Sequence, residues 1–220
     1  MYSSDPESLH PAHYADLKKY PVTDETIAAQ RIRSIPPNMI TTLLRFNPER
    51  VTSAMLIPFA DPAGGWMDHV RMKVFPAIEK ETGRGKAKKV RSVKYLQPKA
   101  SGSRLFFPVA TMRAACDSLD PLYVIEGEKK ALLFAQTGYP TVGICGVENW
   151  HVADSDALLP DFDYIHLDGR VVNVCPDGDF DENDNVERAI YQLGLALEHR
   201  GARPELLRLH QPSRQETTAP

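Results

Sequence analysis

The chain has 220 residues, 42% hydrophobic and 25% charged, which is enough for one large domain or two small ones with a real core. Its net charge of -3 conceals a split: residues 1–120 hold 18 Lys and Arg against 12 Asp and Glu, whereas residues 121–220 hold 8 against 17. A basic half suits a polyanion and an acidic half suits hard metal ions, although unevenly solvated faces account for the same counts.

Cys116, Cys145 and Cys175 are odd in number and widely spaced, which argues against a disulfide framework. No CxxC is present to hold zinc, so no zinc is expected. The start, MYSSDPESLHPAHYADLKK, lacks a basic region followed by an apolar core. No run approaches the roughly 18 apolar residues of a spanning helix. A cytoplasmic protein that does not enter a membrane is expected.

Polar tails are expected at 1–10 and 213–220, around a basic α+β region at 11–110 and an α/β domain at 111–212. HYADLKKYPVTDETIAAQRIRSIPP predicts two short helices joined at Tyr20 and Pro21, with Pro36 and Pro37 as the stop. VTSAMLIPF predicts a strand, ADPAGG a turn, and HVRMKVF the second arm of a hairpin. The period-two alternation of that arm puts Arg71 and Lys73 on one wet face. Arg84, Lys86, Lys88, Lys89, Arg91 and Lys94 follow, and then Tyr95. Glycines, long cations and an aromatic suit a loop that tracks phosphates, with Tyr95 as a stacking platform for a base; a solvated basic loop has the same composition.

From Pro121 the pattern alternates. LYVI predicts a strand, EKKALLFAQ a helix and TVGIC a buried strand; DYIHL and RVVNVC predict two more strands. NVERAIYQLGLALEHRG predicts a long amphipathic helix stopped at Gly201, and PELLRLH a final strand. Parallel α/β sheets carry their reactive groups at the carboxyl ends of strands. Glu126 stands at one such end, and Asp177, Asp179 and Asp181 stand at another, 51 residues later. Crowded carboxylates repel unless a cation joins them, and oxygen-only donors select Mg2+ or Mn2+. The alternative is solvation or capping, since Asn183 or Asp184 can cap the next helix. A calcium loop is excluded by Glu182 at its sixth position and Arg188 at its twelfth. There is no Walker A loop and no GxSxG elbow, and His151 and His166 read as ordinary turn or surface residues.

VIEGEKKA, TVGICG and VCPDGDFDENDNVERA, in that order, resemble the Toprim fold shared by bacterial-type primases, topoisomerases and related nucleases. With HYADL and KYLQPKASGSRLFFP upstream, most of the chain is similar to a family of uncharacterised primase-like proteins of phages, plasmids and other mobile elements. The resemblance implies a mostly parallel sheet flanked by helices, with Glu126 as the acid/base or metal-orienting group. It implies Asp177 and Asp179 as Mg2+ or Mn2+ ligands, with Asp181 a further donor, and turns at Gly127, Gly143, Gly146 and Gly178. Lys130 stands where the primase pattern often has an aspartate, so Lys129 or Lys130 is a candidate to meet phosphate. The zinc module and helicase-contacting region of bacterial-type primases are not seen, which implies a separate helicase or replication protein as partner. Three functions remain open: a Mg2+-dependent enzyme on single-stranded DNA and nucleoside triphosphates, a non-catalytic DNA-binding module, or action on a small phosphorylated metabolite.

Overall fold

The computed structural model describes residues 9–82, 89–177 and 183–208. Residues 1–8 and 213–220 of the expected tails lie outside these ranges, as do Arg84, Lys86 and Lys88 of the basic stretch.

The chain opens with α1 (Pro11–Leu17) and α2 (Asp24–Ala29), the two expected helices on either side of Tyr20 and Pro21. Thr23 caps α2, its hydroxyl accepting from the Thr26 N–H at 3.2 Å, with Asp24 and Glu25 in the first turn. Pro36 and Pro37 differ from expectation. They follow a short strand, β1 (Arg33–Ile35), and open a third helix, α3 (Pro37–Leu44). Pro37 occupies the first turn, where its missing N–H costs nothing and its fixed φ suits the helix.

Next come β2 (Ser53–Ala60), β3 (Trp66–Thr82) and β4 (Lys89–Leu96), which with β1 form an antiparallel sheet in the order β1-β2-β3-β4. The turn between β2 and β3 uses Gly64 and Gly65 at positive φ, with the Asp61 carboxylate accepting from the Ala63 N–H at 2.9 Å. β2 is buried on both faces, which explains its unbroken apolar run. Ala54 and Leu56 face α3 with Ile40 and Leu44, while Met55, Ile57 and Phe59 face the main core.

After a short helix, α4 (Met112–Asp117), come β5 (Leu122–Glu126), α5 (Glu128–Gln136), β6 (Thr141–Ile144), β7 (Val171–Cys175), α6 (Asp184–Glu198) and β8 (Arg203–Leu206). The four strands form a wholly parallel sheet in the order β6-β5-β7-β8. Asn183 caps α6, accepting from the Asn185 N–H at 3.2 Å. DYIHL is not a strand: Pro160–Tyr164 is a 3-10 turn, opened by Pro160. Asp161 in that turn is buried and fixes it by accepting from Arg104 Nε at 2.9 Å and the Leu105 N–H at 2.8 Å. Phe106 then exchanges two backbone bonds with Gly143, at 2.7 and 2.8 Å, covering the outer edge of β6. The opposite edge is β8, which carries Pro204.

One apolar cluster joins the two sheets, running from Leu17, Met55 and Phe59 through Phe106 and Phe107 to Val124, Val174 and Leu193. Arg170 is buried inside the parallel half, donating to the carbonyls of Ala115 at 2.6 Å, Asp120 at 2.7 Å and Ala114 at 3.0 Å. It thereby satisfies the last carbonyls of α4. Among the described residues no helix is long and apolar enough to cross a membrane.

Burial lowers the pKa of two histidines, His13 and His69, to about 4; nearby His10 adds to the effect on His13, and Arg104 and Arg71 to that on His69. Both rings are neutral in the folded chain, whereas the unfolded chain protonates them near pH 6.5. Stability should therefore be complete above pH 6.5 and fall as the pH drops toward 4, by at most about 1.4 kcal/mol per pH unit for each ring. Urea unfolding at pH 7, 5.5 and 4.5 measures this slope. His69→Phe should flatten it, because neither ring nitrogen of His69 has a partner.

Candidate active site at the ends of β5 and β7

β5 and β7 are adjacent and parallel, with Ile125 paired to Cys175, so Glu126 and the Pro176-Asp177 segment leave the sheet side by side. The sequence separation of 51 between the two acids thus collapses to one crevice. Glu126 Oε2 accepts from the Asp177 N–H at 3.4 Å. Gly127, at φ +91°, turns β5 into α5, and its N–H donates to the Ile144 carbonyl at 2.9 Å. One turn into α5, Lys130 folds back over Gly127 and pairs with Asp177 Oδ1.

These groups line a cleft of about 380 Å³, together with Arg71, Lys73, Lys94, Tyr95, Lys129 and Gly146. Lys94 and Tyr95 of the basic stretch therefore border the acids. Arg91 lies farther along the hairpin, paired in register with Lys80, and is not among the lining residues. The side chain of Lys89, and Gly178, Asp179 and Asp181, lie outside the described residues. Gly146 lies at φ +133°, and a Cβ there would meet Asn149 Nδ2 at 2.9 Å. Gly143 faces packing instead, since a Cβ would stand 3.2 Å from both Ala131 Cβ and Phe106 Cβ. His151 and His166 lie outside the cleft lining.

Arg71 and Lys73 share a face, as their alternation requires, but that face is covered. Their side chains are 14% and 13% exposed because α1 and α5 pack over the arm and supply acids. Arg71 Nη1 donates to Glu128 Oε1 at 2.7 Å and to the Cys145 carbonyl at 3.0 Å, and its guanidinium lies 5.0 Å over the Tyr95 ring. Burial opposes the Arg71 charge, yet Glu128 beside it raises the group above its ordinary value. Burial, reinforced by Glu128, pushes the Cys145 thiol well up, so it stays protonated. Lys73 Nζ donates to Asp16 Oδ1 at 2.6 Å and Lys129 Nζ to Asp16 Oδ2 at 3.0 Å. Burial works to raise the Asp16 pKa, but these two bonds prevail and hold it below the usual carboxylate range. Burial, then Glu128 and Asp16, push the Tyr95 hydroxyl up, so it remains a donor.

The cation of Lys129, expected at a phosphate, is therefore engaged behind the cleft by Asp16, and also sits 4.8 Å over the Tyr20 ring. The ring of Tyr95 is flanked by Arg71 and Lys73. Asp16 and Glu128 were not expected at the site. Their signals were an acid in the HYADL run and a second acid directly after Glu126-Gly127. Among the described residues no three His, Cys, Asp or Glu side chains form a metal-holding group. Glu126 and Asp177 nonetheless offer hard oxygen donors of the kind Mg2+ takes, from adjoining strand ends.

The fold is that of Toprim-type primase domains. It is similar to the DnaG primase catalytic domain bound to ssDNA, at 19% identity and a TM-score of 0.54, over 93% of this chain and 69% of that one. The DnaG catalytic core gives 20% identity and 0.54 over 93% and 68%. The zinc-binding and RNA polymerase domains of the Aquifex aeolicus primase give 14% identity and 0.55 over 91% of this chain and 50% of that one. Residues 116–216 match a family described as a domain of unknown function, DUF3854. No curated protein matches the chain.

Removing Asp16 leaves two mostly buried ammonium groups without their shared counter-charge. Asp16→Ala should cost about 3 kcal/mol in urea unfolding. Lys19→Ala, whose side chain is 71% exposed and 3.4 Å from Asp16, should cost under about 0.5 kcal/mol.

Proposed function

We propose that the chain is a nucleic-acid phosphoryl-transfer enzyme or primase-like component of mobile-element DNA replication, acting on single-stranded DNA and nucleoside triphosphates. The observation that carries this reading is that one cleft, at the strand ends of a primase-type fold, brings Glu126 and Asp177 together with Lys94 and Lys130. Glu126, Asp177 and Asp179 would hold Mg2+ or Mn2+, which when bound neutralises phosphate charge as transfer develops. Glu126, which accepts from the Asp177 N–H, would take the proton of an attacking hydroxyl. Gly127 keeps the strand end clear of a side chain, and Lys94 meets a strand phosphate from the β4 side of the cleft. A separate helicase or replication protein would supply the template.

A second reading, a non-catalytic DNA-binding module, is favoured by one contact: Lys130 already neutralises Asp177. Primer synthesis and nuclease assays with Mg2+ or Mn2+, run beside single-strand binding across a salt series, separate the two. On the enzymatic reading Glu126→Gln lowers turnover about 100-fold or more while strand affinity stays within about twofold. Lys94→Ala should reduce the salt slope by about 0.7. Salt-sensitive binding without turnover selects the second reading, and neither binding nor turnover removes both.

A further inference from the structure

Lys130 differs from Arg71, Lys73 and Lys129 in the acid it meets. Arg71 is held by Glu128, and Lys73 and Lys129 by Asp16, whereas Lys130 pairs with Asp177, one of the acids assigned to the metal. A further observation puts its ammonium at the strand ends: its Cε lies 4.0 Å from where a Cβ on Gly127 would stand, so the side chain runs back across the start of α5 toward the sheet.

A carboxylate oxygen paired with an ammonium group faces it with the same lone pairs a divalent ion needs. Two cations cannot both sit at bonding distance from that oxygen without strong mutual repulsion. We propose that Lys130 is a built-in cation of the acidic site: its ammonium takes the place beside Asp177 that a divalent ion would take, so a metal enters only by displacing it. The inference rests on reading Glu126 and Asp177 as an ion site. Lys130 then sets metal affinity by competition.

The test is Mn2+ binding to the full chain, followed by electron paramagnetic resonance, with no nucleotide or nucleic acid present. Lys130→Met should bind Mn2+ at least about tenfold more tightly than the wild type, because the competing charge is gone. Lys130→Arg, which keeps the cation, should stay near the wild-type affinity, and Asp177→Asn added to Lys130→Met should abolish the gain. Thermal melts followed by circular dichroism verify that each variant is folded, and Lys130→Gln replaces Lys130→Met if the latter is not. Equal or weaker binding in the neutral variant, or a gain that survives Asp177→Asn, overturns the proposal. Because the readout is metal alone, a failure of primer synthesis or of strand binding leaves this comparison unaffected, and the two readings fail separately.

Discussion

The Asp16 carboxylate, shared between Lys73 on β3 and Lys129 on α5, joins a strand of the antiparallel sheet to the helix that follows β5 of the parallel one. Arg71 and Glu128 repeat the arrangement one step along the same strand and helix. The apolar cluster between the sheets supplies most of the burial, but apolar contact is non-directional and leaves α5 free to rotate about its axis. Charged hydrogen bonds fix that rotation. Since α5 begins directly after Glu126-Gly127, fixing α5 also fixes where Glu126 and Lys130 stand relative to the β3–β4 hairpin.

That coupling governs the electrostatics of the cleft. Among the described residues five cationic side chains border it, and the acids Asp16, Glu128 and Asp177 engage four of these from behind or beside. Among the described residues most cations of this recess are matched by acids, and an anion that meets Arg71, Lys73, Lys129 or Lys130 has to exchange partners with groups that hold one another. Charge exchange of this kind discriminates by geometry more than by net attraction.

Much of this architecture is legible in the chain itself. The alternation of strand and helix after Pro121, the two acidic strand ends and the glycine between β5 and α5 are local patterns, and local patterns survive translation into sequence signals. The burial of Arg71 and Lys73 is not local. Their period-two spacing gives the correct shared face, but what covers that face comes from Asp16 and Glu128, more than 50 residues away in either direction. DYIHL fails for a similar reason: Ile165 and Leu167 are buried, yet Pro160 and the buried carboxylate of Asp161 bend the chain before a ladder can form. Pro36-Pro37 reads equally well as a stop or a start, and only the packing of Ile40 and Leu44 on β2 decides for a helix.

The two margins of the parallel sheet are finished differently. At β6 the backbone of Phe106 takes up donor and acceptor positions of Gly143. At β8 no described strand pairs with the outer side, where Pro204 has no N–H to offer and Arg203 and Glu205 on either side of it are exposed and charged. A second chain aligning its own strand there would lack a rung at Pro204 and would have to strip water from two ions. Both margins of this sheet, as the described residues form them, therefore discourage growth by strand addition.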